Sequence, residues 1–198
     1  MNKNLKIVAF TDDQVMDLIP EIAALRIDVF AEYPFLYVGD LEYEKRYLKK
    51  FISMDDAIVV AAFDEKTIVG ISTAYPFQYE SEYLTNVFIE SGLSPQDYYC
   101  FGESVLKKQY RGQGIGKAFF AERENFARSL QKFSHLCFYT SIRPLDDPKK
   151  PLDYRPLDPF WKAQGFQKHP NLIGMVSYQE IGSAAETPHP MVFWTKKL

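Results

Sequence analysis

The chain has 198 residues, of which 46% are hydrophobic and 16% aromatic, and this predicts one globular domain with a sizeable core. Its formal net charge of −3 argues against bulk attraction to nucleic acid, so no nucleic-acid partner is expected. No apolar run reaches the length of a membrane span, and residues 1–4 lead into no apolar signal core. We therefore expect a cytoplasmic protein with no membrane partner.

The chain begins with a short apolar strand at residues 5–10, followed by an amphipathic helix. Thr11 or Asp12 offers an N-cap for that helix, and Pro20 predicts either a start beyond it or a kink. An aromatic loop covers residues 30–40.

A second helix is predicted at residues 41–52, and its charged residues, Glu44 among them, are expected on a solvated face. A β-hairpin follows, with strands at residues 57–63 and 67–75. The partly helical stretch of residues 77–97 is longer than a turn, so we expect it on the substrate side or as a cover over the sheet edge.

The second half of the chain predicts a central strand at residues 98–106, a helix at 114–131 and a strand at 135–142. The apolar stripe of that helix is expected to face the core, with charged residues such as Arg123 outside. Prolines stiffen the loop at residues 143–159.

A short helix is predicted from residue 157 or 158 to residue 164, with Asp158 as its cap and Gly165 at its end. Two strands at residues 174–181 and 190–196 then form an antiparallel pair.

The two cysteines, Cys100 and Cys137, both lie within apolar runs. His135 is two residues from Cys137, but one such pair is too little for a metal site. We therefore expect two reduced cysteines in the core and no metal centre.

The most informative stretch lies between the central strand and the following helix, and reads Tyr110-Arg111-Gly112-Gln113-Gly114-Ile115-Gly116-Lys117. Glycines at every second position let the backbone come close to a ligand. The first amides of a helix lack intrahelical partners and lie at the positive end of its dipole. With Arg111 and Lys117 adding positive charge, this stretch predicts a site for a phosphate group.

The spacing of these glycines differs from both common nucleotide loops. A P-loop needs a Gly-Lys-Ser/Thr end, and a dinucleotide fingerprint needs a third glycine one residue later and an earlier place in the chain. A glycine-rich hairpin or an ordinary loop is the alternative. Arg111-x-x-Gly114-x-Gly116 instead resembles the acyl-CoA pyrophosphate loop of the GNAT superfamily of N-acetyltransferases.

Other parts of the chain are similar to the same superfamily. Phe160-Trp161-Lys162-Ala163-Gln164-Gly165-Phe166 resembles its second signature, and the order of predicted elements is that of a GNAT domain. The stretches at residues 101–106 and 154–161 look like a bacterial subgroup of unassigned substrate. The resemblance implies an α/β (α+β) fold, with a single domain over residues 1–198 and a mixed sheet of six to seven strands flanked by about four helices.

The resemblance also implies a cofactor, acetyl-CoA, and the residues that bind it. In GNAT enzymes the central strand splays from the next strand, and the pantetheine arm pairs with the exposed backbone. Here that backbone would belong to Val105, Leu106 and Lys107. The pyrophosphate would lie against Arg111, Gly112, Gln113, Gly114, Ile115, Gly116 and Lys117.

The implied activity is transfer of an acetyl group to the amine of a small molecule or peptide by direct attack. A backbone amide near Val105 or Leu106 would polarise the thioester carbonyl. Two alternative functions stay open at this point: an acyl-CoA sensor or interaction module without turnover, and a nucleotide-binding protein. The sequence also leaves a homodimer open.

Glu103 is the candidate general base, because it is the only carboxylate on the strand leading into the glycine loop. A structural carboxylate bonded to Arg143 or Arg155 is the alternative. GNAT members with an acid on this strand place it one or three residues earlier, so Glu103 faces the other way unless a bulge intervenes.

Tyr154 is the candidate general acid. Many GNAT enzymes carry a Tyr in the second signature, whereas this chain has Trp161, whose indole does not usefully donate a proton to a thiolate. A buried structural role for Tyr154, or Tyr139 as the acid, is the alternative.

Three stretches are candidates for the walls of the acceptor pocket, at residues 33–37, 77–97 and 143–154. Glu80, Glu82 and Glu90 within the second stretch would attract a cation. Arg143 and Arg155 would equally suit an acceptor carboxylate or the cofactor phosphates.

Overall fold

Seven strands form one mixed sheet in the computed structural model, which describes residues 5–11 and 13–198. The strand order is β1-β2-β3-β4-β5-β7-β6, and β4 and β5 are the parallel neighbours. The strands are β1 Leu5–Phe10, β2 Ile58–Asp64, β3 Thr67–Pro76, β4 Tyr98–Leu106, β5 His135–Ser141, β6 Gln167–Gln179 and β7 Glu186–Lys197. The helices are α1 Ile19–Phe30, α2 Leu41–Ile52, α3 Glu82–Glu90, α4 Ile115–Leu130 and α5 Asp158–Ala163.

The sheet separates two apolar layers. Helices α1, α2 and α3 cover the face that carries Cys100, Cys137 and Phe193, which we call the α1 face. Helices α4 and α5 cover the opposite face, which carries Phe138 and Trp194 and which we call the α4 face. None of the described helices is long and apolar enough to span a membrane.

The predicted fold class is confirmed, and the bounds of β4 and α2 agree with those read from the sequence. The start of α1 differs from the prediction. A 3₁₀ turn covers Asp13–Leu18, and α1 begins at Ile19, with Pro20 in the first turn, where a missing N–H breaks no helical bond. Leu18 is the N-cap, so Thr11 does not cap α1, and Asp12 lies outside the described residues.

The C-terminal elements also differ from the sequence prediction. Asp158 is the first residue of α5 and pairs with Lys168, while Leu157 takes the N-cap position. Strand β6 begins at Gln167, well before residue 174, and its register shifts between His169 and Ile173. The polar run with Pro170 hid this edge strand, because an edge tolerates both a proline and an irregular ladder.

A buried arginine ties α1 and α2 to the sheet. The Nε of Arg26 donates to Glu44 on α2 at 2.5 Å, and its Nη1 contacts Glu103 on β4. Burial would lower the pKa of Arg26, but the adjacent Glu103, Tyr47 and Glu44 outweigh it and raise that pKa. We call Arg26, Glu44 and Glu103 the Arg26 cluster. The expectation that Glu44 lies on a solvated face is wrong, because its partner is on another helix and it is 1% exposed.

Removing the guanidinium would leave two carboxylates buried without a counter-charge. We therefore predict that Arg26→Ala lowers the free energy of unfolding by about 3–5 kcal/mol. Urea denaturation followed by circular dichroism measures this change. Arg46→Ala, on the exposed side of α2, is the matched control and should stay within about 0.5 kcal/mol of the parent. Equal stability of the two variants would contradict a structural role for the Arg26 cluster.

Candidate active site

A gap opens inside the sheet between β4 and β5. The two strands pair over three rungs only, which are Tyr98↔His135, Tyr99↔Leu136 and Cys100↔Cys137. Beyond Cys100, β4 continues along β3 as far as Leu106, and β5 continues along β7 as far as Ser141. We call this gap the fork. Beyond Cys100 no ladder bond joins the two strands, which both lie within the described residues, so backbone groups on the two edges face the gap.

A β-bulge lies where β4 enters the fork. Between Ser72 and Ala74, β3 advances two residues while the facing segment of β4, from Ser104 back to Phe101, advances three. One extra residue in a strand reverses which face the following side chains occupy. Glu103 consequently points to the α1 face, where it meets Arg26. The bulge that the sequence prediction required for Glu103 to change faces is therefore present.

Gly102 makes the bulge sterically feasible. A Cβ at this position would lie 2.6 Å from Thr73 Oγ1 and 3.0 Å from the ring of Tyr75. Thr73 Oγ1 also accepts the backbone N–H of Glu103 at 3.2 Å. Only glycine leaves room for both neighbours.

Arg123 of α4 supports the bulge from the opposite face. Its Nη1 donates to the carbonyls of Thr73 and Glu103 at 3.1 and 3.3 Å, and its Nη2 donates to Ser104 Oγ at 2.9 Å. Its guanidinium lies 4.2 Å from the centroid of the Phe101 ring. Burial lowers the pKa of Arg123 to about 9, against the opposing effect of Glu103. The expectation that Arg123 lies outside is wrong, because carbonyls freed by the bulge offer it buried acceptors.

The glycine loop presents open backbone at the start of α4. Gly112 and Gly114 have φ of 77° and 88°, and Gly114 is the N-cap residue. An added Cβ at either glycine would meet no atom within 4 Å, so solvent-accessible space lies beside both. Within the described part of the chain, no hydrogen bond uses the amides of residues 112–117, and Ala118 makes the first helical bond to Gly114.

Charge around the loop is distributed unevenly. Lys117 is exposed on the first turn of α4. Arg111 instead turns toward β4, where its Nε donates to the Leu106 carbonyl at 3.1 Å and its Nη1 to Glu32 at 2.8 Å. Arg111 therefore joins the end of β4 to the turn that follows α1.

The three predicted backbone positions on β4 face different ways. The N–H of Lys107 bonds to the Val69 carbonyl of the β3 segment at 2.9 Å. By the alternation of an antiparallel ladder, Val105 and Lys107 direct their backbone groups to β3 and Leu106 directs its groups into the fork. Leu106 is thus the member of this set whose N–H a ligand in the fork would meet, while its carbonyl accepts a hydrogen bond from Arg111.

The two predicted catalytic residues lie in different surroundings. The Glu103 side chain is 8% exposed, and its ionic partner is Arg26, not Arg143 or Arg155. Tyr154 is half-buried, and its ring packs edge-on against Tyr33 at 4.7 Å. Burial raises the pKa of Tyr154.

Arg143 joins the aromatic loop to the end of β6. Its Nε and Nη2 donate to the carbonyls of Pro34 and Phe35 at 2.6 and 3.2 Å, and its Nη1 donates to Glu180 at 3.1 Å. Together with Tyr33 and Tyr154, this brings two of the three predicted pocket walls into contact. A cavity of about 380 Å³ lies beside them, and its described lining includes Asp147, Lys149 and Glu180 but neither the glycine loop nor Glu103.

Glu80 is one of the three acidic residues singled out in the stretch of residues 77–97, and its surroundings differ from those of the other two. Glu82 and Glu90 are exposed, whereas Glu80 is half-buried and its Oε2 accepts the hydroxyls of Tyr75 and Tyr139. No local pattern distinguishes Glu80, because these tyrosines reach it only through the order of strands in the sheet.

The aromatic residues of the second signature belong to the core of the α4 face. Trp161 packs against Phe138 and Trp194, with ring centroids 5.3 and 5.2 Å apart. Phe160 lies 3.5 Å from the position that a Cβ on Gly116 would occupy. This packing sets the distance between α5 and the first turn of α4.

Several solved structures to which the chain is similar are described as acetyltransferases. A ribosomal-protein-alanine N-acetyltransferase from Brucella melitensis has a TM-score of 0.61 and 20% identity, covering 98% of this chain and 99% of that one. An acetyltransferase of the GNAT family from Streptococcus pneumoniae has a TM-score of 0.58 and 16% identity, covering 98% and 99%. A Salmonella typhimurium protein, determined with its cofactor acetyl-CoA, has a TM-score of 0.59 and 10% identity, covering 99% and 95%.

No protein-family model and no curated protein matches the sequence. The likeness therefore lies in the three-dimensional arrangement, which extends over nearly the whole chain. The chain has the fold of the GNAT family of acetyltransferases.

Proposed function

We propose that the protein is an acetyl-CoA-dependent N-acetyltransferase that acetylates an amine of a small molecule or peptide by direct attack. The observation that carries the proposal is a fork in the sheet next to a row of unpaired amides at the start of α4. The proposal includes a cytoplasmic location and is compatible with a homodimer.

The residues at this end of the sheet fit the cofactor. The amides of residues 112–117 and the ammonium of Lys117 would hold its pyrophosphate, because glycines leave the space beside them open. The pantetheine arm would lie inside the fork, along the edge of β4 that ends at Leu106. When bound there, acetyl-CoA supplies the acetyl group as a reactive thioester.

The protein's own residues then have three tasks. The N–H of Leu106, which faces the fork, would donate a hydrogen bond to the thioester carbonyl oxygen and stabilise the charge that develops there. The hydroxyl of Tyr154, beside the aromatic loop, would protonate the leaving thiolate. Glu103 would accept the amine proton only after its contact with Arg26 opens.

A binding protein without turnover is the second candidate, and the pairing of Glu103 with Arg26 favours it. A carboxylate that is 8% exposed and bound to a guanidinium is poorly placed to meet an acceptor. Such a protein would bind acyl-CoA as a sensor or an interaction module.

A thiol-release assay separates the two candidates. With acetyl-CoA and a panel of primary amines and amino acids, we expect release of free thiol above the amine-free background for at least one acceptor. Saturable CoA binding with no release across the panel would support the sensor. Thermal stabilisation by ATP or NAD and not by CoA would contradict both.

The role of the glycine loop in binding the pyrophosphate can be tested by introducing a negative charge into it. We predict that Gly114→Asp weakens CoA binding at least about 100-fold, because a carboxylate would replace open space at an anion site. Isothermal titration measures the affinity. Gly182→Asp is the matched control, since Gly182 has a φ of 91° and equally open surroundings. Both variants should lose about 1–2 kcal/mol of stability from backbone strain, but the control should keep its CoA affinity.

The role of Tyr154 can be tested by removing its hydroxyl. We expect Tyr154→Phe to lower kcat about 10²-fold, because the thiolate then leaves without its proton donor. CoA affinity and the ring contact with Tyr33 should be preserved. Turnover equal to that of the parent would remove Tyr154 from the mechanism.

A further inference from the structure

A second carboxylate lies over the base of the fork, on the α1 face. Tyr75 of β3 pairs with Cys100 of β4, which pairs with Cys137 of β5, so the three side chains form a row across the sheet. Tyr139 lies two residues beyond Cys137 on β5, so it is inside the fork and on the same face of the sheet. Glu80, which follows the end of β3, reaches across this row and accepts the hydroxyls of Tyr75 and Tyr139, the latter at 3.1 Å.

The sheet beneath Glu80 is built of small residues. Cys100 and Cys137 form the last rung, and Gly102 follows on β4 with no side chain of its own. The backbone N–H of Ser81 donates to Glu80 Oε1 at 2.8 Å, so both carboxylate oxygens have a fixed position. The carboxylate therefore lies close above the strand that the thioester would follow.

Glu80 differs from Glu103 in both its partners and its accessibility. Glu103 contacts a buried guanidinium, whereas the partners of Glu80 are two hydroxyls and one amide. In the described part of the chain, no Lys, Arg or His lies within ion-pair distance of Glu80. The half-buried Glu80 therefore keeps its charge available for a cation that enters from outside.

We propose that Glu80, held by Tyr75 and Tyr139, binds the acceptor amine as an ammonium group and accepts its proton. This inference rests on the proposed acetyl transfer. The ammonium gives one proton to the Glu80 carboxylate, and the neutral nitrogen attacks the thioester carbonyl carbon. The new N–C bond forms, the C–S bond breaks, and its electron pair leaves with sulfur. Tyr154 protonates the thiolate, the second amine proton replaces the one that Tyr154 has given up, and Glu80 releases the first to solvent.

The surroundings select for a cationic acceptor. The Arg26 cluster carries one positive and two negative groups on the same face, so together with Glu80 the field there is negative. The tyrosine rings add polarisable walls that suit an ammonium group. A primary amine that is protonated at neutral pH is therefore the acceptor class that fits this end of the site.

The other ionisable groups that face Glu80 are Tyr75, Tyr139, Tyr47, Cys100 and Cys137. Burial, and then the Glu80 charge, raise the pKa values of Tyr75 and Tyr139. Both hydroxyls consequently stay protonated across the neutral range and continue to donate to the carboxylate.

The test uses the full chain with acetyl-CoA and the best acceptor from the amine panel. We expect Glu80→Gln to lower kcat/KM about 10²-fold with CoA affinity unchanged, because a general base contributes about that factor. The loss should shrink as pH rises from roughly 7 to 9, since more acceptor is then already the free amine. Glu80→Asp should restore part of the rate. Glu122→Gln, the same change on the exposed side of α4, is the control and should match the parent.

Three results would overturn the assignment. If Glu80→Gln keeps a rate within about 3-fold of the parent, where a lost general base costs far more, Glu80 is not the base, although acetyl transfer stands. A loss that is the same at every pH, or that is matched by lost CoA affinity, would indicate a purely structural role. If the parent releases no thiol with any amine while it binds CoA, the proposed function itself fails, and this inference with it.

Discussion

The candidate site depends on one irregular peptide segment, the bulge at Gly102 and Glu103, which two buried arginines hold from opposite faces of the sheet. Arg26 contacts the Glu103 side chain from α1. Arg123 donates hydrogen bonds to the Thr73 and Glu103 carbonyls from α4. A bulge leaves ladder groups unpaired, and buried unpaired groups are costly. The Arg123 guanidinium satisfies two of the carbonyls, and Arg26 neutralises the buried Glu103 side chain, so the irregular backbone is a stable part of the fold.

This arrangement assigns different chemistry to the two faces of the sheet. The open amides of the glycine loop begin α4, while Glu80 and its tyrosines lie on the α1 face, over the base of the fork. A thioester inside the fork would therefore be exposed to an acceptor from the side away from α4. In the proposed reaction, the positive ends of backbone dipoles would bind the cofactor, and the negative charges on the α1 face would bind the acceptor. The sheet keeps these opposite potentials apart.

Much of the fold was readable from the sequence because local patterns determine it. The run at residues 98–106 and the helix after Gly114 were predicted within a residue, since apolar periodicity and glycine caps are local signals. The buried charges were not readable. Arg26, Glu44 and Arg123 look like ordinary helix-surface residues, and their partners stand on other elements. Glu80 was named only as one acid among three, because strand order alone brings Tyr75 and Tyr139 to it.

The fork also bears on how the sheet resists misassembly. An unpaired strand edge normally invites a foreign strand, which proteins avoid by covering or shortening their edges. Here the unpaired edge of β4 lies inside the sheet, because β5 stands next to it and is paired with β7. A strand from another polypeptide therefore cannot add to this edge from outside the sheet. The gap between β4 and β5 is present in the folded protein, so a narrow ligand can enter without breaking hydrogen bonds between strands. Because the binding gap forms during folding, ligand binding does not have to offset the cost of separating the two strands. More of the free energy of contact then contributes to affinity.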